Sequence, residues 1–229
     1  MAIFTPNSIG VTMSRTVASK QRLQERKDKS DYYITPLWAV RQFLKAYDDV
    51  TGYVSYMQDQ SYEDGPVLIL DPCAGGDEEH PMSYPTVLEE WDINPITIDA
   101  RPNSRAEIIA DYLETDVLEK FDLIITNPPF IIIEDIIEKA LSDCKDGGHV
   151  VMLARLNYFG AQKRAVGFQA NMPKYVFVHS KRMGFDPAKP SDTDNVEYAH
   201  FVWVKGEQPD FTELRVILPP PKPPRKPRK

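Results

Sequence analysis

A chain of 229 residues with 42% apolar and 27% charged residues is long enough to bury one full core and too rich in aliphatic side chains for wholesale disorder. Two cysteines, Cys73 and Cys144, exclude a disulfide scaffold, Met1–Arg15 has neither the basic nor the apolar region of a signal peptide, and no apolar run approaches the roughly 20 residues of a membrane helix, so the expected setting is a reducing cytoplasm. The net charge of −7 includes five positive charges at Lys222, Arg225, Lys226, Arg228 and Lys229, which leaves −12 on the rest, so contact with nucleic acid must come from local basic stretches: this tail, Arg22–Lys29 and Lys181-Arg182.

Residues 1–30 are polar and without a strong period, and read as a loose arm with one short helix through Val17–Arg26. From Pro36, which suits a first helical position, Leu37, Val40, Phe43, Leu44 and Tyr47 recur at helical spacing and predict an amphipathic helix that ends before Gly52. Val67–Leu70 is a short apolar run bounded by Gly65-Pro66 and Asp71-Pro72, the signature of a strand buried on both faces. Similar strands are predicted at Ile96–Ile98, Glu107–Ala110, Leu123–Thr126, Val150–Ala154, Tyr175–Val178 and His200–Val204, with a helix over Glu134–Cys144 whose end is marked by Gly147-Gly148. Strands alternating with helices give the α/β class with a doubly wound, mainly parallel sheet. Leu218–Lys229 is dominated by proline and base and reads as an extended, polyproline-like tail. His80, His149, His179 and His200 are scattered and show no zinc-site spacing with the cysteines, so no metal is expected.

In an open α/β sheet, ligands bind beyond the carboxyl ends of the strands. After the first predicted strand stands Asp71-Pro72-Cys73-Ala74-Gly75-Gly76-Asp77, where small residues let the backbone approach a ligand and the acid can receive an ammonium group; an ordinary glycine turn has the same composition. After the second stands Asp99, placed to accept hydrogen bonds from ribose hydroxyls, and after the third Asp111, placed to accept from an adenine amino group; both positions equally suit a helix cap.

The fourth predicted strand runs into Asn127-Pro128-Pro129-Phe130. Consecutive prolines fix φ and forbid helix, so the asparagine amide and the Pro128 carbonyl sit in a rigid turn with both oxygens able to point one way. An adenine amino nitrogen is a poor nucleophile because its lone pair is delocalised into the ring. Accepting both of its N–H hydrogens localises that pair toward an incoming methyl group, and Phe130 offers a face on which the base can stack.

On these segments the chain resembles the N6-adenine DNA methyltransferases over roughly residues 31–206. The resemblance implies the Rossmann-like methyltransferase fold, a seven-stranded sheet closed by an antiparallel C-terminal hairpin, with residues 31–210 as the catalytic domain between the arm and a proline-rich basic tail over 211–229. It implies S-adenosylmethionine as cofactor, held by Asp71, Pro72, Gly75, Asp99 and Asp111 and by the element Tyr33-Ile34-Thr35-Pro36, of which Tyr33, Thr35 and Pro36 match the family pattern. It assigns Asn127, Pro128, Pro129 and Phe130 to catalysis on adenine in DNA, with the base flipped from a duplex. Three features depart from the pattern: Asp77 replaces the usual second glycine, Pro81 and Pro85 interrupt the next helix, and no large target-recognition domain is visible. Methylation of RNA or of a protein glutamine, or a non-catalytic cofactor- or DNA-binding role, are the competing readings.

Overall fold

The computed structural model describes residues 12–13, 33–59, 66–160, 162–189 and 191–219. The arm helix expected over Val17–Arg26 and the basic end of the tail lie outside the described residues. Strand β1 (Thr12–Met13) pairs antiparallel with β5 (Thr115–Asp116) in a separate two-stranded ribbon. The other strands are β2 (Ile69–Asp71), β3 (Ile96–Asp99), β4 (Ile108–Ile109), β6 (Phe121–Thr126), β7 (Cys144–Arg155), β8 (Tyr175–His179), β9 (Tyr198–Val204) and β10 (Glu213–Ile217). They form one eight-stranded sheet in the order β10-β8-β9-β7-β6-β2-β3-β4. Neighbours are parallel except where β9 runs antiparallel to β7 and β8.

All seven strands expected from the sequence are therefore present, in a doubly wound, mainly parallel arrangement, and β10 adds an eighth. This last strand lies in the stretch read from sequence as tail; it pairs with β8 from Glu213↔Tyr175 to Ile217↔His179. Its pattern gave little signal because it is an outer strand, with exposed Leu214 and Val216 alternating with charged Glu213 and Arg215.

Helices cover both faces, so the central strands read as unbroken apolar runs. On one face α1 (Leu37–Thr51) and α3 (Ser83–Glu89) bring Val40, Phe43, Leu44, Val87 and Leu88 against Leu123, Ile125, Val151 and Val202. On the other, α4 (Ile133–Asp143) brings Ile133, Ile136 and Ala140 against Ile124, Val150, Met152 and Phe201. Successive β6 residues thus serve opposite cores, as the period of two requires. Short helices α2 (Tyr53–Asp59) and α5 (Ala165–Ala170) complete the described set. No helix among the described residues is long and apolar enough to cross a membrane.

Three local expectations are refined. Gly52 does end α1, at φ 64°, with its N–H bonded to the Asp48 carbonyl at 2.7 Å. Gly147-Gly148 does not end α4: the helix stops at Asp143 and passes straight into β7, where the register against β6 moves from Phe121↔Cys144 to Leu123↔His149. The glycines build that bulge, since a Cβ on Gly148 would meet the Asp122 carbonyl oxygen and Cys144 Sγ at 2.8 Å each. Pro85 does not interrupt a helix either; it occupies the first turn of α3, where its missing N–H would have had no intrahelical partner.

Candidate active site at the carboxyl ends of the central strands

The turn after β2 is shaped by Gly75 and Gly76, both left-handed at φ 69° and 71°. A Cβ on Gly76 would stand 2.6 Å from Met82 Cγ and 3.1 Å from the Met82 nitrogen, so the loop is packed from behind. Asp77, in the place of a further glycine, folds its carboxylate onto the backbone N–H groups of Glu79 (3.0 Å) and His80 (2.9 Å) and onto His80 Nδ1. The substitution therefore carries its own turn chemistry.

Asp99, at the end of β3, holds this loop. Its Oδ2 accepts from the Gly75 N–H at 2.8 Å, and its Oδ1 accepts from the Arg101 N–H at 2.8 Å and Arg101 Nε at 3.2 Å. Arg101 Nη2 continues to the Gly76 carbonyl at 2.9 Å, and the Ser104 hydroxyl donates to the Gly75 carbonyl. Arg101 and Ser104 had no place in the sequence reading, because their function is set by where the chain returns after β3 and not by any local pattern.

Asp71 lies beneath the loop with no exposed surface. Its Oδ1 accepts from Thr126 Oγ1 at 2.6 Å and from the Cys73 N–H at 3.2 Å, tying β2 to β6, while Oδ2 has no hydrogen-bond partner. Burial pushes its pKa up to about 7. Asp111 acts as a cap: it accepts from the Leu113 N–H at 3.1 Å at the start of the 3₁₀ turn Tyr112–Glu114. Ala110 next to it bonds the Asp99 carbonyl at 2.9 Å, so the two acids end neighbouring strands.

On the β6 side the amide nitrogen of Asn127 donates to Thr35 Oγ1 at 3.0 Å and to the Tyr33 carbonyl at 3.3 Å. A carbonyl only accepts, so this edge of the amide must be the NH₂ and Oδ1 takes the opposite direction. Pro128 is buried, Pro129 has φ −58° and ψ 123°, and Phe130 opens the 3₁₀ turn that leads into α4. The ring of Phe130 stacks with Tyr33 at 6.2 Å and 26°, lies 5.9 Å from Tyr198, and has the Arg155 guanidinium 5.4 Å from its centre. Phe185 closes the group edge-on, 5.3 Å from Tyr33 and 4.8 Å from Tyr198.

The structure thus collects the singled-out residues into two adjoining clusters. Asp71, Pro72, Gly75 and Asp99 form or hold the glycine loop, with Asp111 one strand further out, whereas Tyr33 and Thr35 meet Asn127, Tyr33 stacks with Phe130, and Pro36 caps the start of α1 next to them. The Asp71–Thr126 bond joins the two, since Thr126 immediately precedes Asn127. Arg155 and Tyr198 were not foreseen as site residues; the available signal was that each falls where a predicted strand reaches the same end of the sheet. Among the described residues no group of three or more His, Cys, Asp or Glu side chains is arranged to hold a metal ion.

No protein-family model and no curated protein matches the sequence. In structure the chain is similar to a protein assigned to the class I S-adenosylmethionine-dependent methyltransferases from Listeria monocytogenes, with TM-score 0.53 and 14% identity over 87% of this chain and 71% of that one. It is also similar to the M protein of the type I restriction enzyme EcoKI, with TM-score 0.52 and 14% identity over 78% of this chain and 45% of that one. The type IIG restriction endonuclease BpuSI gives TM-score 0.54 and 12% identity over 82% of this chain and 27% of that one. The chain therefore has the fold these proteins share, and spans less than half the length of the two restriction-system proteins.

Proposed function

We propose that this chain binds S-adenosylmethionine and transfers its methyl group to the exocyclic amine of adenine in DNA. The observation that carries the reading is the fixed sense of the Asn127 amide: with its NH₂ committed to Thr35 and Tyr33, its remaining polar atom is an acceptor, beside a rigid proline turn and an aromatic ring. An acceptor so placed suits an amine with two hydrogens and rejects a carbonyl.

The cofactor suits the adjoining cluster on two counts. The buried Asp71 Oδ2 is an acceptor without a donor, and Asp99 retains lone pairs beyond those used by Gly75 and Arg101. In this reading Asp71 serves the ammonium side, Asp99 the ribose hydroxyls and Asp111 the adenine amine. When bound, the cofactor supplies an electrophilic methyl group. Asn127 Oδ1 and the Pro128 carbonyl accept the two N–H bonds of the target amine and draw its lone pair out of conjugation, Phe130 stacks the base, and Tyr33, Phe185 and Tyr198 keep water from its faces.

DNA as the bearer of the adenine is supported by likeness to restriction-system proteins and by Arg155, Lys181 and Arg182, which stand at the cleft end of a chain that is otherwise acidic. The experiment is incubation with labelled S-adenosylmethionine and, in parallel, duplex DNA, RNA and a glutamine-containing peptide, followed by nucleoside analysis. Label in N6-methyladenine from the duplex is the expected result; label confined to RNA or peptide overturns the assignment.

A further inference from the structure

Strand β10 ends the sheet on one side, and no described strand pairs with its other edge. Along β8 its register is regular from Glu213↔Tyr175 to Ile217↔His179. The Glu213 N–H bonds the Lys174 carbonyl at 2.9 Å, and the Ile217 carbonyl receives the Ser180 N–H at 3.2 Å. Residues 213 and 217, and 215 between them, therefore turn their backbone polar groups toward β8, and alternation turns the N–H and C=O of Leu214 and Val216 outward.

A bare edge is normally blunted by a charge, a proline, a bulge or a covering segment, because an unanswered row of N–H and C=O groups recruits another strand. β10 has no bulge, and the side chains at its outward positions are apolar, Leu214 54% and Val216 59% exposed. Phe211 and Leu218, more exposed still, flank them. The charges on the opposite face offer little repulsion, since Arg215 Nε bonds Glu213 Oε1 at 2.6 Å and the two cancel.

We propose that this edge is the interface of a homodimer, in which a second copy of the chain adds its own β10 antiparallel to the first about a two-fold axis at Leu214. The charges select that register. An axis at Glu213 or Arg215 sets like charges face to face. One at Val216 sets Arg215 against the partner's Ile217 and Thr212 against the partner's Pro220, which has no N–H to give. One at Thr212 sets Leu214 against the partner's Asp210 and leaves Glu213 without a cation. With the axis at Leu214, that residue meets the partner's Leu214, and the two exchange both backbone bonds. Val216 falls opposite the partner's Thr212, and Glu213 falls opposite the partner's Arg215 on both sides of the axis, at the closely spaced pairs where side chains approach nearest. Each charge then has one partner in its own strand and another across the axis, a network of the kind that contributes where a lone surface pair does not. β10 runs parallel to β8, and β8 and β7 are both antiparallel to β9, so antiparallel joining points the carboxyl ends of the two sheets in opposite directions. Each copy keeps its own cleft, and the dimer is independent of the reaction proposed above.

Sedimentation velocity across the micromolar range tests this. Wild type should pass from monomer to dimer as concentration rises. Glu213→Arg alone and Arg215→Glu alone each set like charges opposite one another, and should raise the dimer Kd by about tenfold or more while the melting temperature of the monomer stays near that of wild type. The combined Glu213→Arg/Arg215→Glu variant restores opposite charges and should bring the Kd back to within about threefold of wild type. An equimolar mixture of the two single variants should also dimerise, because each copy supplies the charge that the other lacks. Wild type that stays monomeric at every concentration overturns the inference, as does a dimer indifferent to these charges, or a mixture as dissociated as its components.

Discussion

The two halves of the candidate site are built on opposite plans. Around the glycine loop nearly every polar group is answered from within the protein: Asp99 by Gly75 and Arg101, Asp77 by Glu79 and His80, and the Gly75 and Gly76 carbonyls by Ser104 and Arg101. A buried exception is Asp71 Oδ2. On the β6 side the polar group that matters is answered on one edge only, and the remainder is aromatic surface contributed by Tyr33, Phe130, Phe185 and Tyr198. The first half is a preformed backbone cradle whose shape is the functional feature. In the second, a single atom is aimed and the rings around it set its surroundings. Changes in the cradle should therefore register as stability and cofactor affinity, and changes on the β6 side as rate and target affinity.

Asn127→Ala should give the largest effect and the purest one. Removing the aimed acceptor is expected to lower methyl transfer by about 10²–10³-fold, the loss typical of one oriented hydrogen-bonding group in a catalytic site. Calorimetric affinity for S-adenosylmethionine should stay within about twofold of wild type, because the amide touches no part of the cradle. A variant that loses both together would show that the halves are a single unit.

Asp71 provides the next largest effect, on stability as a function of pH. Its folded pKa of about 7 lies above the ordinary carboxylate value, so between about pH 4 and 7 the folded state binds more protons than the unfolded state. Stability from this group is present below that window and is lost as pH rises through it, a change on the order of 4 kcal/mol for a shift of this size. Asp71→Asn has no such titration. Its melting temperature, measured against wild type from pH 4 to 8, should gain on wild type as pH rises and level off above 7; parallel curves would mean that Asp71 is ionised throughout. Saturating cofactor should flatten the wild-type curve, since an ammonium group close to Oδ2 favours the carboxylate.

Phe130→Ala tests the aromatic side. Base stacking on one ring contributes roughly 1–3 kcal/mol, so KM for DNA should rise about tenfold or more with cofactor affinity preserved. Fluorescence titration with an abasic target site separates the base contribution from the backbone: the variant and wild type should bind that DNA alike.

This division also explains how much was legible in the sequence. Asn127-Pro128-Pro129-Phe130 and the loop Asp71–Asp77 stood out because proline fixes φ, glycine frees it, and each segment directly follows a run of buried apolar residues, so local chemistry and fold position coincide there. The seven sheet strands were equally plain, because burial on both faces makes an apolar run. What escaped was whatever depends on the return of a distant segment. Arg101 and Ser104 reach the loop from beyond β3, Phe185 and Tyr198 arrive from beyond β8, and Tyr84 meets His200 over 116 residues of sequence. His179 and His200, unremarkable one by one, acquire partners only when α3, β8 and β9 are assembled. β10 escaped for another reason, since an outer strand with Leu214 and Val216 in water carries no two-sided burial to be read.

Gly76→Ala should have the smallest effect and is the sharpest test of the cradle. At φ 71° an L side chain is strained by roughly 1–2 kcal/mol, whatever space surrounds it. Space is also short, because the added Cβ would stand 2.6 Å from Met82 Cγ and 3.1 Å from the Met82 nitrogen. The first contact can be relieved by turning a flexible side chain, but the second is backbone, so the loop has to move away from the start of α3. That movement pulls on the Gly76 carbonyl held by Arg101, and through Arg101 on Asp99. Cofactor affinity should therefore fall together with the melting temperature. Single-turnover methyl transfer at saturating cofactor, by contrast, should remain within a few-fold of wild type, since Asn127 is anchored to Thr35 and Tyr33 and not to the loop. An alanine variant with normal cofactor affinity and a slow single turnover would reverse the roles assigned to the two halves.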